Sequence, residues 1–230
     1  MTLQETFVVL DTCVLLKQRV SDVIMDLRQE KLFSAHWTEN IDAEFLRNMQ
    51  EVYGIAEARA QGRLCAMKAR CPEWEVYMTS ADFAAVPSEV DIKDRHVAAA
   101  ALALRHAVDK DIEADQAGQT YDVILVTDNV KDLARKEMAR LGVRVMRSGP
   151  FLNAVYKANP AATTRAVQQA TKDLKAPPYT VEELLFALRA QGASTLVAQM
   201  SKALGVAPGR KMPTVPSSTA RRRTARAASK

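Results

Sequence analysis

Short apolar runs alternate with longer segments of helical period along the first two thirds of the chain. The short runs lack strict alternation of polar and apolar residues, which is typical of strands buried on both faces of a sheet. They predict strands near residues 7–11, 32–35, 75–79, 122–127 and 143–146. Apolar residues three or four positions apart predict helices near 17–31, 38–53, 55–71, 94–108 and 130–141. Strands that alternate with helices predict an α/β fold whose central parallel sheet is flanked by helices.

After Pro150 the pattern predicts helices alone. The pair Asn159-Pro160 is a favoured N-cap followed by proline at the first helical position. Thr180 and Glu183 have the spacing of a capping box before another apolar segment. These signals predict an all-helical region that follows the α/β region.

The chain therefore divides into three predicted parts. The α/β domain covers 1–150, and a C-terminal helical annex covers 151–207. The annex is too small to have much core of its own, so we expect it to pack on the α/β domain. Residues 208–230 are rich in Pro, Ser and Arg without apolar periodicity, which predicts a disordered basic tail.

The tail alone makes the protein basic. The formal net charge is +5, from 32 basic and 27 acidic residues. Seven of the basic residues lie in the tail, which contains no acid: Arg210, Lys211, Arg221, Arg222, Arg223, Arg226 and Lys230. Without these seven, 25 basic residues face 27 acidic ones, so the rest of the chain is near −2. We expect the tail to add affinity for nucleic acid that does not depend on sequence.

Cysteine and histidine usage argues against several chemistries. The three cysteines form no C-x-x-C pair, which disfavours a disulfide framework or a zinc site and suits a reducing compartment. The three histidines show no metal-ligand spacing. No apolar run reaches membrane-spanning length, and the N-terminus lacks a basic region before an apolar one. We expect a cytoplasmic protein with no membrane partner.

A carboxylate, Asp11, interrupts the first apolar run, FVVLDTCVLL. A buried carboxylate is costly unless it is paired, hydrogen-bonded or bound to a metal. Asp11 falls at the carboxyl end of a predicted strand, where ligands gather in parallel α/β sheets. A strand-end aspartate that merely caps the next helix is an equally good interpretation of this residue alone.

Three further acids occupy comparable places. Glu44 borders the buried stripe of its predicted helix, Asp94 opens another helix, and Asp128 directly follows the strand VILVT. Each has an ordinary structural interpretation, as a solvated helix residue or an N-cap. Asn129 and Asp132 are also available near Asp128. Together these residues predict oxygen ligands that converge on one cleft.

Such a cluster has a chemical consequence. Two carboxylates about 4 Å apart repel by roughly 4 kcal/mol at an effective dielectric near 20. The repulsion demands proton uptake or divalent cations, and ligation by oxygen alone suits magnesium or manganese. Such ions activate water for in-line displacement at phosphorus, so the pattern favours phosphodiester hydrolysis.

Four motifs resemble the successive signatures of the PIN domain, and are closest to VapC-type toxins of bacterial toxin–antitoxin pairs. They are FVVLDTCVLL, TENIDAEFLRN, VDIKDRHVAAAALA and VILVTDNVKDL, which span roughly residues 5–148. The resemblance implies a PIN-like fold and an endoribonuclease that depends on magnesium, with RNA as substrate and a VapB-type antitoxin as partner. By position, Asp11, Glu44 and Asp94 match the family's acids, and Asp11 and Asp94 its principal metal ligands.

The sequence departs from the family at two positions. The family often has an acid two residues after the threonine of the fourth motif, where this chain has Asn129. We assign Asp128 as the fourth catalytic acid, with Asn129 and Asp132 as alternatives. Cys13 replaces the asparagine that often follows the first Asp-Thr pair, and cysteine is a poor substitute for an amide.

Two other functions fit parts of the sequence. A haloacid-dehalogenase-like phosphatase also begins with a strand-end aspartate, but it needs a second aspartate where this chain has Cys13. A non-catalytic protein could instead bind nucleic acid through the C-terminal helices and the Arg-rich tail.

Two surface features bear on binding partners. The alanine run Ala98–Ala101 indicates close approach to the sheet or to a second subunit, which leaves a homodimer open. A set of basic residues near Glu44 and Asp94 would either form a solvated, salt-bridged face or guide phosphates. The set comprises Arg47, Arg59, Arg63, Lys68, Arg70, Lys93 and Arg95.

Overall fold

A four-stranded parallel sheet forms the centre of the α/β domain. The computed structural model describes residues 6–115, 121–173 and 179–207. The sheet order is β2-β1-β3-β4, where β1 is Thr6–Leu10, β2 is Ser34–His36, β3 is Asp122–Val126 and β4 is Val143–Met146. Because all four strands run in the same direction, their carboxyl ends lie at one edge. The predicted α/β fold class with a central parallel sheet is confirmed.

Helices pack on the sheet as the apolar periodicity predicts. Those of the α/β domain are α1 (Thr12–Leu15), α2 (Gln18–Gln29), α3 (Glu39–Glu51), α4 (Glu57–Arg70), α5 (Ser80–Ala84), α6 (Arg95–Asp115) and α7 (Arg135–Arg140). Helix α6 lies against β1 and β3, and Ala98–Ala101 are fully buried there within the single chain. Contact with the sheet therefore explains the alanine run without a second subunit.

The predicted strand at 75–79 is wrong. Only Glu75 makes a bridge, in parallel with Trp37, through a bond from Trp37 N to Trp74 O and one from Val76 N to Trp37 O. The segment cannot extend because Thr79 already caps α5 in a capping box with Asp82. The extended segment thus contributes one bridge beside the sheet.

Helix α7 begins five residues later than predicted. The predicted helix covered 130–141, whereas the structure begins it at Arg135, after Ala134 in a left-handed conformation at φ 41°. The intervening turn has a tertiary contact, because the carbonyl of Asp132 accepts from Asp91 N at 2.9 Å. Tertiary contacts therefore override the helical signal in this loop.

The first helix of the C-terminal annex begins three residues before the predicted boundary at 151. The annex consists of α8 (Ser148–Ala158), α9 (Pro160–Asp173), α10 (Val181–Ala190) and α11 (Ser194–Leu204). Both predicted caps form: Asn159 Oδ1 accepts from Ala162 N at 3.0 Å, and Thr180 and Glu183 make the capping box. Helices α9 and α10 pack on α2, and the buried residues of both parts form one hydrophobic core. The annex therefore packs on the α/β domain as predicted.

The predicted tail at 208–230 lies outside the described residues. In the part of the chain that the structure describes, no helix is both long and apolar enough to cross a membrane.

Candidate active site

Asp11 lies at the carboxyl end of β1 and is almost fully buried, with 5% of its surface exposed. Its Oδ2 accepts hydrogen bonds from the Thr127 hydroxyl and, at 3.0 Å, from the Cys13 thiol. The side chain makes no cap bond to α1, although the backbone of Asp11 stands at the N-cap position. The alternative interpretation as a side-chain cap is therefore wrong. Asp11 is instead held by Cys13 of α1 and by Thr127, which directly follows β3.

Cys13 takes part in this arrangement in place of the family's asparagine. Its Sγ donates to Asp11 and accepts from the backbone N of Asp128 at 3.3 Å. Burial, followed by the negative charge of Asp11, raises the pKa of the Cys13 thiol to about 12. The thiol therefore stays protonated and can donate to the carboxylate throughout the physiological pH range.

Glu44 on α3 is paired with a histidine that the sequence did not indicate. His96 Nε2 lies 3.3 Å from Glu44 Oε2, which also accepts from Thr12 Oγ1 at 2.8 Å. The hydrogen bond from His96 is the main cause of a lowered pKa at Glu44, and Glu44 raises the pKa of His96 in turn. The pair thus keeps Glu44 ionised at the edge of the site.

Asp94 stands directly before α6 and faces the loop after β3. Its backbone oxygen accepts from the first turn of the helix, whereas its side-chain Oδ2 accepts from Asn129 Nδ2 at 3.0 Å. Burial raises the pKa of Asp94, and the next cause is the negative charge of Asp11, followed by smaller effects of Asp132 and Asp91. Asp11 and Asp94 are therefore close enough to repel each other.

The structure places the three alternatives for the fourth position differently. Asn129 bonds directly to Asp94, and Asp132 contributes only its charge to the pKa of Asp94. Asp128 turns away: its Oδ2 lies 2.6 Å from Lys17 Nζ, and both of its oxygens accept from the Ser148 hydroxyl at 3.0 Å. These contacts do not support the assignment of Asp128 beside the other acids, because a lysine and a serine already occupy its oxygens.

The residues present fit a hard divalent cation. Within the described ranges, no three His, Cys, Asp or Glu side chains form a ready-made metal cluster. Magnesium, however, is commonly held by one or two carboxylates and keeps several waters. Asp11 and Asp94 provide two carboxylates from neighbouring loops, and the charge of one already disfavours ionisation of the other. A cation would relieve that repulsion.

Most of the basic residues around the site have structural partners. Arg63 donates to Leu15 O and Ser21, and Arg95 donates to backbone carbonyls of the segment 83–87. Lys68 and Arg70 pair with buried acids, Asp42 and Asp26 respectively. Arg47, Arg59 and Lys93 are exposed and make no ion pair with the described residues. Among the described residues, these three members of the set therefore remain without a structural ion pair.

The C-terminal helix pair, α10 and α11, packs against the rest of the chain. Leucines of α10 and apolar residues of α11 are buried in the shared core. The turn between the two helices is docked, because Gly192 O accepts from Asn153 on α8 and Gln191 Oε1 accepts from Lys17. The two helices therefore contribute to packing against the α/β domain.

Residues 150–202 match the family model described as the VapC50 C-terminal domain. The match covers most of the annex and lies outside the stretch that resembles the PIN domain. Comparisons with curated proteins and with solved structures give no match. The match thus adds a second, separate part of the chain that is similar to VapC-type toxins.

Proposed function

We propose that the protein is a metal-dependent endoribonuclease and the toxin component of a VapBC-type toxin–antitoxin pair. The observation that carries the proposal is that one short segment at the carboxyl edge of the sheet holds both carboxylates: Thr127 donates to Asp11, and Asn129 donates to Asp94. Burial and the charge of Asp11 raise the pKa of Asp94, which agrees with this arrangement. Perturbed carboxylates of this kind are characteristic of sites that bind cations or transfer protons. The annex match and the four N-terminal motifs support the toxin family independently.

Each residue of the site has a role in the proposed reaction. A bound magnesium or manganese ion would supply charge neutralisation and an activated water for attack at phosphorus. Asp11 and Asp94 would hold the ion, with Thr127 and Asn129 orienting their side chains. Glu44, kept ionised by its histidine partner, would accept the proton of the attacking water.

The partners follow from the same proposal. RNA would be the substrate, cut in single-stranded loops and ends, whose phosphates and bases are accessible. Arg47 and Lys93 flank Glu44 and Asp94 and would offset the repulsion between the acidic site and phosphates. A VapB-type antitoxin would inhibit the enzyme by occupying this edge of the domain.

A brief pulse of expression followed by sequencing of RNA ends tests the proposed function. We expect new RNA ends at a small set of sites within minutes, and growth arrest in the same culture. The variant Asp11→Asn serves as control and should give neither. New ends of equal abundance from both proteins, or no new ends from either, would contradict the proposal.

Truncation after Gly209 should weaken RNA binding without moving the cleavage sites. The tail carries seven basic residues, and each phosphate neutralised steepens the dependence of affinity on salt. Binding to a short single-stranded RNA, measured from low to moderate salt, should therefore become weaker and less salt-dependent. A shift of the cleavage sites on the same RNA would instead make the tail a specificity element.

A further inference from the structure

Lys17 connects the annex to the loop beside the candidate active site. It lies between α1 and α2, and its Nζ is 2.6 Å from Asp128 Oδ2 and 2.7 Å from Gln191 Oε1. Gln191 belongs to the turn between α10 and α11. A single ammonium group therefore bonds the loop after β3 and the annex at the same time.

Ser148, the first residue of α8, also holds the side chain of Asp128. The hydroxyl and the backbone N of Ser148 donate to Asp128 Oδ1, at 3.0 and 3.2 Å, and Ser148 is fully buried. The backbone N of Asp128 donates to Cys13 Sγ, which itself donates to Asp11. Both the side chain and the backbone of Asp128 are thus held by other elements.

The annex turn is itself held tightly on α8. Asn153 donates to Gly192 O at 3.1 Å and accepts from Leu196 N at 2.9 Å. The backbone of Gly149 approaches Gln191 so closely that a Cβ at residue 149 would stand 2.0 Å from Gln191 O. Gln191 is therefore presented to Lys17 by a rigid surface of the annex.

The residues on either side of Asp128 orient the two principal acids. Thr127 donates to Asp11, and Asn129 donates to Asp94. The three consecutive residues thus alternate between the site and the annex: the outer two contact the acids, and the middle one contacts Lys17 and Ser148. Displacement of Asp128 would move both hydrogen-bond donors.

We propose that the turn 191–193 of the annex braces the loop 127–129, with Lys17 and Asp128 as positioning residues for the metal-dependent reaction. The effect on the reaction rests on the proposed function, whereas the contact between the turn and the loop rests on geometry alone. The Lys17–Asp128 pair is part-buried, so its removal can also lower stability. A Lys17 that served stability alone would lower the free energy of unfolding when replaced and would leave the magnesium requirement of the reaction unchanged. Positioning residues of a metal site, in contrast, affect metal affinity without touching the metal.

Lys17→Met and Gln191→Ala test the brace from its two sides. Arg165→Met is the matched control, because Arg165 also joins the annex to α2. It does so through an ion pair with Glu30, at the opposite end of α2 from Lys17. The first readout is hydrogen exchange of the peptide that contains residues 127–129, in the full-length protein without added metal. The second is the magnesium concentration that gives half-maximal RNA cleavage.

We expect faster exchange of the loop in both brace variants and wild-type exchange in the control. The magnesium requirement should rise about tenfold in Lys17→Met, as for outer-shell residues of other metal sites. Lys17→Arg keeps the charge and should restore most of both properties. Unchanged exchange in Lys17→Met would overturn the brace. Unchanged exchange in Gln191→Ala alone would show that the annex does not take part in holding the loop. If exchange changes as expected but even the wild type cleaves no RNA, the brace stands and the proposed function fails.

Discussion

Asp94→Asn is expected to abolish RNA cleavage while leaving the folded protein at least as stable as the wild type. The rate should fall by more than about a hundredfold, since even outer-shell changes at metal sites cost about 10–100-fold. The reason for retained stability is the raised pKa of Asp94, caused by burial and the charge of Asp11. Asparagine keeps the side-chain shape and removes the repelling charge.

The pH dependence of stability checks the same prediction. The pKa of Asp94 is higher in the folded protein than the ordinary value of 3.8, so its contribution to stability is lost as pH rises through the folded value. Near neutral pH its ionisation therefore opposes folding in the absence of a cation. We expect urea unfolding at pH 7 without metal to give equal or greater stability for Asp94→Asn, and added magnesium to stabilise only the wild type. Full activity of the variant, or equal stabilisation of both proteins by magnesium, would contradict the assignment.

Gly149→Ala is expected to destabilise the protein, because the backbone leaves no room for a Cβ at this position. A Cβ at residue 149 would stand 2.0 Å from Gln191 O and 2.6 Å from the carbonyl carbon of Gly192, both backbone atoms that cannot rotate away. Overpacking of this kind typically costs about 1–3 kcal/mol, and the turn 191–193 would have to leave α8. Urea denaturation measures the free energy of unfolding directly.

Gly62→Ala is the matched control for this substitution. Gly62 lies inside α4, and a Cβ there would have no atom within 4 Å. Alanine should therefore stabilise the helix by about 0.5–1 kcal/mol relative to glycine. Opposite signs for the two variants are the expected result, and similar values would show that the close approach at Gly149 is not a constraint.

The fold could be predicted from the sequence because it follows from local patterns. Short apolar runs without strict alternation, helical periodicity and capping residues such as Thr180 and Asn159 are all local signals. The structure contains the strands and helices that most of these signals predict. The prediction failed at 75–79, where the local capping box of Thr79 and Asp82 begins α5 and ends the extended segment after a single bridge. It also misplaced the start of α7, where a contact between Asp132 and Asp91 replaces a helical turn.

The candidate site could be predicted only in part. Strand ends and a helix start indicated where Asp11 and Asp94 lie, because those positions are fixed by the order of elements. His96 gave no signal, since its partner Glu44 is distant in sequence and no metal-ligand spacing connects them. The direction of Asp128 was equally hidden, because it depends on Lys17 and Ser148, which meet it only in the folded chain.

The annex contributes both to the hydrophobic core and to the contacts that hold Asp128. Its helices share the core of the α/β domain. Helix α8 begins at Ser148, which donates to Asp128, and α10 ends just before Gln191, which accepts from Lys17. A domain that matches the VapC50 C-terminal domain is thus placed to influence a site it does not enter. Gly149→Ala tests how the annex contributes to stability, and the Lys17 variants test its contact with the loop.

The end groups of the RNA products test the central claim most directly. Purified protein and a labelled single-stranded RNA would be incubated with magnesium and, separately, with a chelator. Attack by a cation-activated water breaks the phosphodiester to give a linear phosphomonoester on one product and a free hydroxyl on the other, and it should stop in the chelator. The account predicts linear phosphate ends that appear only with the metal. A 2′,3′-cyclic phosphate that forms equally in the chelator would show attack by the neighbouring hydroxyl instead, and would contradict the account.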